Sequence, residues 1–357
     1  MIKPKVLLIT LPVNSYGGVV SYNNGILQSK SIDIFQFRNC SGKYDNFILK
    51  VFSFVIDIFR LSFKLIKNDI NIVHVNPSLN LNSFLRDSFF VLVSKWLGKR
   101  VLVQWHGWNP SNINLTKGVF LRWFNLTYFK ADHTKFLYKN LVIYYHEMGY
   151  KNKITLGKTF VTPQKKSIRL KKEHDKIRLL FLSTISKNKG IYKAIELFKI
   201  LKKIKPNIEF KIAGIGPDYD KVYETIKSLK DIEMLGFVDG NDKSNLFQSS
   251  DIYLFPSEHE GMPISVLEAM YFGLPILTTK VGALNDFFEE GIMGFSSDFD
   301  NYIEVMKERL IQLVSERQLR NEMGEFNSKF VTENYMLKNV LTELEIDYQC
   351  LQNERKD

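Results

Sequence analysis

Cysteine is nearly absent: Cys40 and Cys350 are the only two in 357 residues, and they form no CxxC pair. That argues against a disulfide framework and a cysteine metal site, leaving two ordinary thiols as the plain reading. Long uncharged hydrophobic runs are missing too. The most apolar long stretch, Phe47 to Ile66, is interrupted by Lys50, Asp57, Arg60 and Lys64, whereas a membrane span needs about 20 apolar residues with few or no charges. The first apolar run, Val6 to Val13, is short and leads into Gly17-Gly18, so it reads as a buried first strand rather than an export signal. A soluble or peripheral protein, cytoplasmic and at most lying on the inner face of the membrane, is the expectation. Acidic residues are scarce in one half only. Residues 1–170 hold 7 Asp+Glu against 24 Lys+Arg, while residues 171–357 hold 31 against 25. This contrast points the first half towards an anionic partner, with a merely solubilising surface as the plainer alternative. No nucleic-acid motif accompanies the charge, which argues against that partner.

What the chain does have is a succession of short apolar, β-branched runs separated by helical segments: Val6–Leu11, Ile72–Val75, Val101–Trp105, Ile177–Leu182, Glu209–Ala213, Ile252–Pro256 and Pro275–Thr278. Such runs are those of parallel sheets buried on both faces, and the length suits two cores better than one. Residues 162–176 break the pattern with Pro163 and a lysine-rich, apolar-poor run. The expected organisation is an α/β protein with an N-terminal domain over 1–165, a linker over 166–176 and a C-terminal domain over 177–334. The segment 335–357 is a final helix with a frayed end that could pack back on the N-terminal domain.

The most informative stretch is Asp251 to Gly282, DIYLFPSEHEGMPISVLEAMYFGLPILTTKVG. A strand ends at Pro256-Ser257, a loop carries Glu258, His259, Glu260 and Gly261, and a helix is expected to begin at Pro263, where a missing N–H is harmless. Glu260 then lies just before the helix and Glu268 in an early turn. The free N–H groups and positive dipole end there suit a phosphate, and loops at the carboxyl ends of strands are where open α/β sheets bind ligands. A fully helical segment would separate the glutamates by about 12 Å, too far for a glycosidase pair at roughly 5–9.5 Å. Gripping different parts of one extended ligand remains open, beside a plain helix-charge role for Glu260 and a surface role for Glu268.

The E-x7-E arrangement resembles the signature of family 4 glycosyltransferases of the GT-B fold. The resemblance continues through Leu182, Lys189-Gly190, the run from Ile212 to Gly216, Leu235-Gly-Phe-Val238, Gly282 and the run from Glu289 to Phe295, covering the C-terminal half almost end to end. It implies two Rossmann-like, doubly wound domains facing a central cleft. The implied activity is a retaining glycosyltransferase moving a hexosyl unit from a nucleotide diphosphate sugar to a hydroxyl of a saccharide or lipid-linked acceptor. It implies no cofactor and no metal, in keeping with the absence of a DxD motif in a suitable loop. Position by position, Glu260 would contact the donor sugar and act in catalysis, Glu268 would hold the ribose, and Lys189 would neutralise the diphosphate as charge builds on it. The backbone of Phe237-Val238 would face the base, Gly214 and Gly216 would turn the chain beside the nucleotide, and Gly261, Met262 and Pro263 would line the donor. Relatives carry an arginine five residues before the lysine. Thr184 stands there instead, with Lys187 as a substitute that reproduces no bidentate clamp.

In the N-terminal half, Gly17-Gly18 follow the first strand and would form a loop towards phosphate or acceptor, or a plain turn. His106, in VLVQWHGW, falls where relatives place a histidine beside the reacting sugar, donating a hydrogen bond or orienting the acceptor; His74 reads as packing. Other readings of the same architecture are a non-catalytic scaffold or regulatory subunit, a nucleotide-sugar epimerase, or a glucan phosphorylase, for which the chain is short and lacks a pyridoxal-phosphate motif. Two segments combine basic residues with aromatics. In Phe47–Ile66, Lys50, Ser53, Asp57, Arg60 and Lys64 fall on one helical stripe with apolar residues filling the rest. Lys117–Asn140 interleaves Phe120, Trp123, Phe124, Tyr128, Phe129, Phe136 and Tyr138 with lysines and an arginine. Covering the sheet would account for the apolar stripes; together with the charge, the segments are expected to meet an anionic membrane surface.

Overall fold

The computed structural model describes residues 3–11, 17–40, 46–108, 110–163 and 176–353. The chain divides into two compact units, the first comprising Met1–Thr159 and Leu337–Asp357, the second Phe160–Met336. The lysine-rich run expected as a linker lies, save Lys176, outside the described residues.

The first unit alternates strands and helices in chain order: β1 (Lys5–Thr10), α1 (Gly18–Ile26), β2 (Asp33–Arg38), α2 (Phe47–Lys67), β3 (Ile72–Val75), β4 (Ser78–Leu79), α3 (Leu81–Trp96), β5 (Arg100–Trp105), β6 (Gly107–Trp108), α4 (Gly118–Leu126), β7 (His133–Phe136), α5 (Lys139–Glu147) and β8 (Lys153–Leu156). Six strands form one parallel sheet in the order β2-β1-β3-β5-β7-β8, while β4 and β6 pair separately. Every residue of β3 and β7 is buried, because helices cover both faces. On one face Leu7, Val73 and Val103 pack against Leu61 and Leu65 of α2, Phe90 of α3, Phe124 of α4 and Tyr145 of α5.

The second unit runs β9 (Ile177–Leu182), α6 (Ile191–Ile204), β10 (Ile208–Ala213), α7 (Tyr219–Ile226), β11 (Ile232–Met234), α8 (Gly240–Gln248), β12 (Ile252–Phe255), α9 (Ile264–Tyr271), β13 (Ile276–Thr279), α10 (Leu284–Phe287), β14 (Gly294–Ser297), α11 (Tyr302–Ser315) and α12 (Arg317–Asn334). Its sheet is parallel with the order β11-β10-β9-β12-β13-β14. The order reverses between β9 and β12, which opens a crevice at their carboxyl ends. The last helix, α13 (Leu337–Asn353), returns to the first unit. There Tyr348 meets His74 of β3 across a 2.6 Å hydrogen bond.

Two segments differ from their sequence-based reading. The stretch 117–140 is not a single amphipathic surface. It contains α4, a 3-10 turn and β7, and Phe124, Tyr128 and Phe136 are core residues with no exposure. Helix α2 is one helix, but the middle of its polar stripe is buried, Ser53 at 8% exposure and Asp57 at 2%, while Lys50 and Arg60 stay exposed.

Candidate functional site

The loops that leave β9 and β12 lie side by side at the reversal point of the second sheet. The backbone brings them very close. Glu258 N–H donates to Asn188 O at 2.8 Å, and Tyr253 Oη donates to Leu182 O at 2.8 Å. Gly190 has φ +77°, and a Cβ there would fall 1.8 Å from Pro256 O. Only glycine combines that left-handed conformation with that approach.

This approach puts the residues singled out in the sequence together. Lys189 Nζ lies 2.5 Å from Glu260 Oε1, and the buried Ser257 Oγ donates to the same oxygen at 2.8 Å. Both side chains of the ion pair are largely covered, with 29% of Lys189 and 11% of Glu260 exposed. Glu260 is therefore held in one orientation before any ligand arrives. Gly282, at φ +50°, lets the next loop close over Glu260 and Gly261; a Cβ would lie 2.2 Å from Gly261 O. Ala283 N–H then donates to Gly261 O at 2.7 Å.

Helix α9 begins at Ile264, one residue later than expected, with Pro263 at its N-cap position. Met262 is 8% exposed and Glu268 7%. Burial pushes the Glu268 carboxyl above its ordinary range, against the pull of the Lys243 ammonium. Lys243 Nζ donates to Glu268 Oε1 at 2.7 Å. Lys243 had no signal in the sequence, being one more lysine on a polar helix; it qualifies only because α8 and α9 are neighbours in space.

Gly214 and Gly216 stand at the carboxyl end of β10, and their role here is backbone contact. A Cβ on Gly214 (φ +130°) would fall 1.9 Å from Ser183 O, and one on Gly216 2.4 Å from Ile185 O. They clamp the loop that carries Thr184, Lys187 and Lys189. Lys187 is fixed through its backbone N–H, which donates to Asp218 Oδ2 at 2.7 Å, while its side chain and Thr184 are exposed. Phe237 and Val238 follow β11 on the same edge of the sheet; Phe237 is 58% exposed. Asp239, next in sequence, caps α8 and so starts the helix that delivers Lys243.

In the first unit, His106 follows β5 at its carboxyl end. Its Nε2 is 2.9 Å from Asn76 Oδ1, and Asn76 Nδ2 donates onward to Asn23 Oδ1 at 2.9 Å. That direction makes Asn76 Oδ1 the acceptor, so Nε2 carries the proton and Nδ1 presents a lone pair. Burial pushes His106 down to about 3, so it stays neutral at physiological pH. The remaining ring nitrogen is an acceptor; of the two expected roles, donating a hydrogen bond or orienting the acceptor, this suits the second. Gly17 is the exposed N-cap of α1 at φ 118°, and Gly18 its first residue. A polar hollow near the ends of β1 and β3, lined among others by Thr10, Asn39, Asn76, Arg86 and Asp87, escaped the sequence reading. Asp87, 1% exposed, is paired twice with Arg86, at 2.7 and 2.8 Å.

Among the described residues, no group of three His, Cys, Asp or Glu side chains could hold a metal ion, and no helix is long and apolar enough to cross a membrane.

N-acetyl-alpha-D-glucosaminyl L-malate synthase from Bacillus anthracis is 27% identical over 186 residues, covering 51% of this chain and 48% of the relative. Alpha-monoglucosyldiacylglycerol synthase from Acholeplasma laidlawii is 28% identical over 189 residues, 52% of this chain and 46% of the relative. The chain thus spans about half the length of these curated relatives. Among solved structures, Anabaena HepE in complex with UDP and glucose superposes with a TM-score of 0.70 at 13% identity, over 97% of this chain and 99% of that one. That likeness shows the fold, the two-unit α/β architecture called GT-B. Residues 163–330, the span that holds the paired glutamates and lysines, match the family model described as glycosyl transferases group 1.

Proposed function

We propose that the chain is a retaining glycosyltransferase that moves a sugar from a nucleotide diphosphate donor to a hydroxyl of a saccharide or lipid-linked acceptor. The observation that carries this reading is the convergence of Lys189, Glu260, Glu268 and Lys243 on loops and helices at the reversal point of the second sheet. Each carboxylate is already matched by a lysine of the same unit. An arriving diphosphate competes for Lys189, and its departure from Glu260 frees Oε1 to accept from sugar hydroxyls. Binding of the leaving group and preparation of the sugar site are then one event. Glu268 accepts from the ribose, the backbone of Phe237-Val238 faces the base, and the α9 N-terminus, with Gly261, Met262 and Pro263 before it, lies against the phosphates.

In the step itself the bond from the anomeric carbon to the diphosphate oxygen breaks while a bond forms to the acceptor oxygen on the same face. The acceptor proton passes to a departing diphosphate oxygen. Lys189, with Lys187 in place of the arginine absent at Thr184, stabilises the charge that develops there without a metal ion. Neutral His106, with Nδ1 as acceptor, orients the incoming hydroxyl, and the turn at Gly17-Gly18 serves the acceptor side.

The experiment has two parts. A thermal-shift screen of UDP, GDP, ADP and their sugars finds the donor, since ligand binding to the folded state raises stability. Turnover is then followed as nucleotide release with Glu260→Gln, in the presence and absence of EDTA. The expected result is at least about a tenfold loss of turnover in the variant, roughly 1.4 kcal/mol, and wild-type turnover that EDTA leaves intact. Unchanged turnover in a well-folded Glu260→Gln protein would remove Glu260 from the chemistry; loss with EDTA that Mg²⁺ restores would remove the metal-free mechanism.

A further inference from the structure

Helix α2 is polar inside and apolar outside. Ile48 is 74% exposed, Phe52 63%, Phe59 72%, Phe63 65% and Ile66 66%. Their spacing of four, seven, four and three residues puts them on one face. The buried face opposite holds polar groups among its leucines. Asp57 accepts from Cys40 N–H and from Arg60, each at 2.6 Å, and Lys64 Nζ donates to Gln36 O at 2.5 Å. A helix in contact with water alone would bury the phenylalanines and expose the aspartate. Contiguous exposed apolar surface of this kind marks a contact with something apolar.

The charge on the exposed side selects the partner. The only acidic residue of α2, Asp57, is buried and paired, so what the helix shows outward is apolar or cationic. At 100° per residue, Arg60 and Lys67 lie along one margin of the apolar stripe; Lys67 Nζ sits 5.5 Å over the Phe63 ring. The helix spans 21 residues, about 32 Å, but with its five charges it does not qualify as a membrane span. An apolar stripe edged by cations fits the boundary between acyl chains and anionic headgroups, with the helix lying flat.

We infer that the first unit docks on an anionic lipid surface through α2, with Phe52, Phe59 and Phe63 in the acyl boundary and Arg60 and Lys67 against lipid phosphates. This inference is independent of the reaction proposed above.

The test sediments the full chain with vesicles of phosphatidylcholine alone and of equal parts phosphatidylcholine and phosphatidylglycerol. It compares wild type with Phe52→Ser/Phe59→Ser/Phe63→Ser and with Lys67→Glu. Thermal melting and binding of the nucleoside diphosphate found in the screen verify that both variants are folded. Wild type should bind the anionic vesicles, less so as salt rises, and both variants should partition at least about tenfold more weakly. Absence of binding to anionic vesicles at low salt overturns the proposal. So does binding that responds to salt but not to loss of the phenylalanines, since that is adsorption without insertion. A self-association seen by sedimentation, abolished by the phenylalanine variant and unaccompanied by vesicle binding, would assign the face to a second copy of the chain instead.

Discussion

Lys243 and Glu268 show how a binding residue is kept ready. Only 9% of the Glu268 side chain and 20% of that of Lys243 is exposed, and the ammonium is the charge that offsets the cost of burying the carboxylate. Lys243→Met should destabilise the second unit by about 2 kcal/mol and drive Glu268 to take up a proton more readily. Denaturant unfolding checks the first, and the pH at which donor affinity falls checks the second; an unchanged midpoint would show that the pair contributes nothing. Gly190→Ala should cost at least about 2 kcal/mol, from the left-handed backbone and the collision with Pro256 together, and should weaken donor binding by shifting Lys189. Glu260 and Glu268 were legible in the sequence because their spacing within one loop and helix is local, and Lys189 through the resemblance carried by Lys189-Gly190. Lys243 and the Arg86–Asp87 pair were not, since each depends on which helix lies beside which.

At the scale of elements, α13 is tied to the first sheet by polar groups as well as by packing. Asp347 pairs with Lys135 of β7, 5% exposed, and lies 3.9 Å from His133 Nδ1. Asp347→Leu should cost about 3 kcal/mol, because it strands a buried ammonium. The double variant Lys135→Met/Asp347→Leu should recover most of it, as calorimetric melting of the two proteins would show. If the double variant is no better than the single, packing rather than charge holds the helix. The alternation of apolar runs made the strands readable, whereas their order in each sheet came from the structure alone. The orientation of α2 was not readable. A stripe of Lys50, Ser53, Asp57, Arg60 and Lys64 looks solvent-facing in any helical projection. Only the contacts with Cys40 and Gln36, beyond and within β2, turn Asp57 and Lys64 inward.

For the whole molecule, acid should act unevenly. His74, His106 and His133 all belong to the first unit, and burial lowers all three, His106 to about 3 and His133 to about 4. A histidine whose folded value is depressed binds its proton in the unfolded chain first, so stability falls as pH drops below 6.5. Between pH 6.5 and 5 the loss is roughly 1.6 kcal/mol each for His106 and His133, and His74 acts in the same direction. Hydrogen exchange at pH 7 and pH 5 should therefore show protection lost in residues of the first unit while the second, whose described histidine is the exposed His259, keeps its own; equal change in both would refute this. The first unit is also split in the chain, since α13 belongs to it while Phe160–Met336 form the second. The second unit starts and finishes at one spot, where Val161 N–H donates to Tyr335 O at 2.8 Å. During synthesis the first sheet must therefore wait, with His74, Lys135 and the docking face of α13 uncovered, until the second unit has been made. At about 5–20 residues per second that is roughly 10–35 s. The first unit is thus the last to finish folding, and a chain cut off at Met336 would carry a complete second unit attached to a first that has no lid on one face.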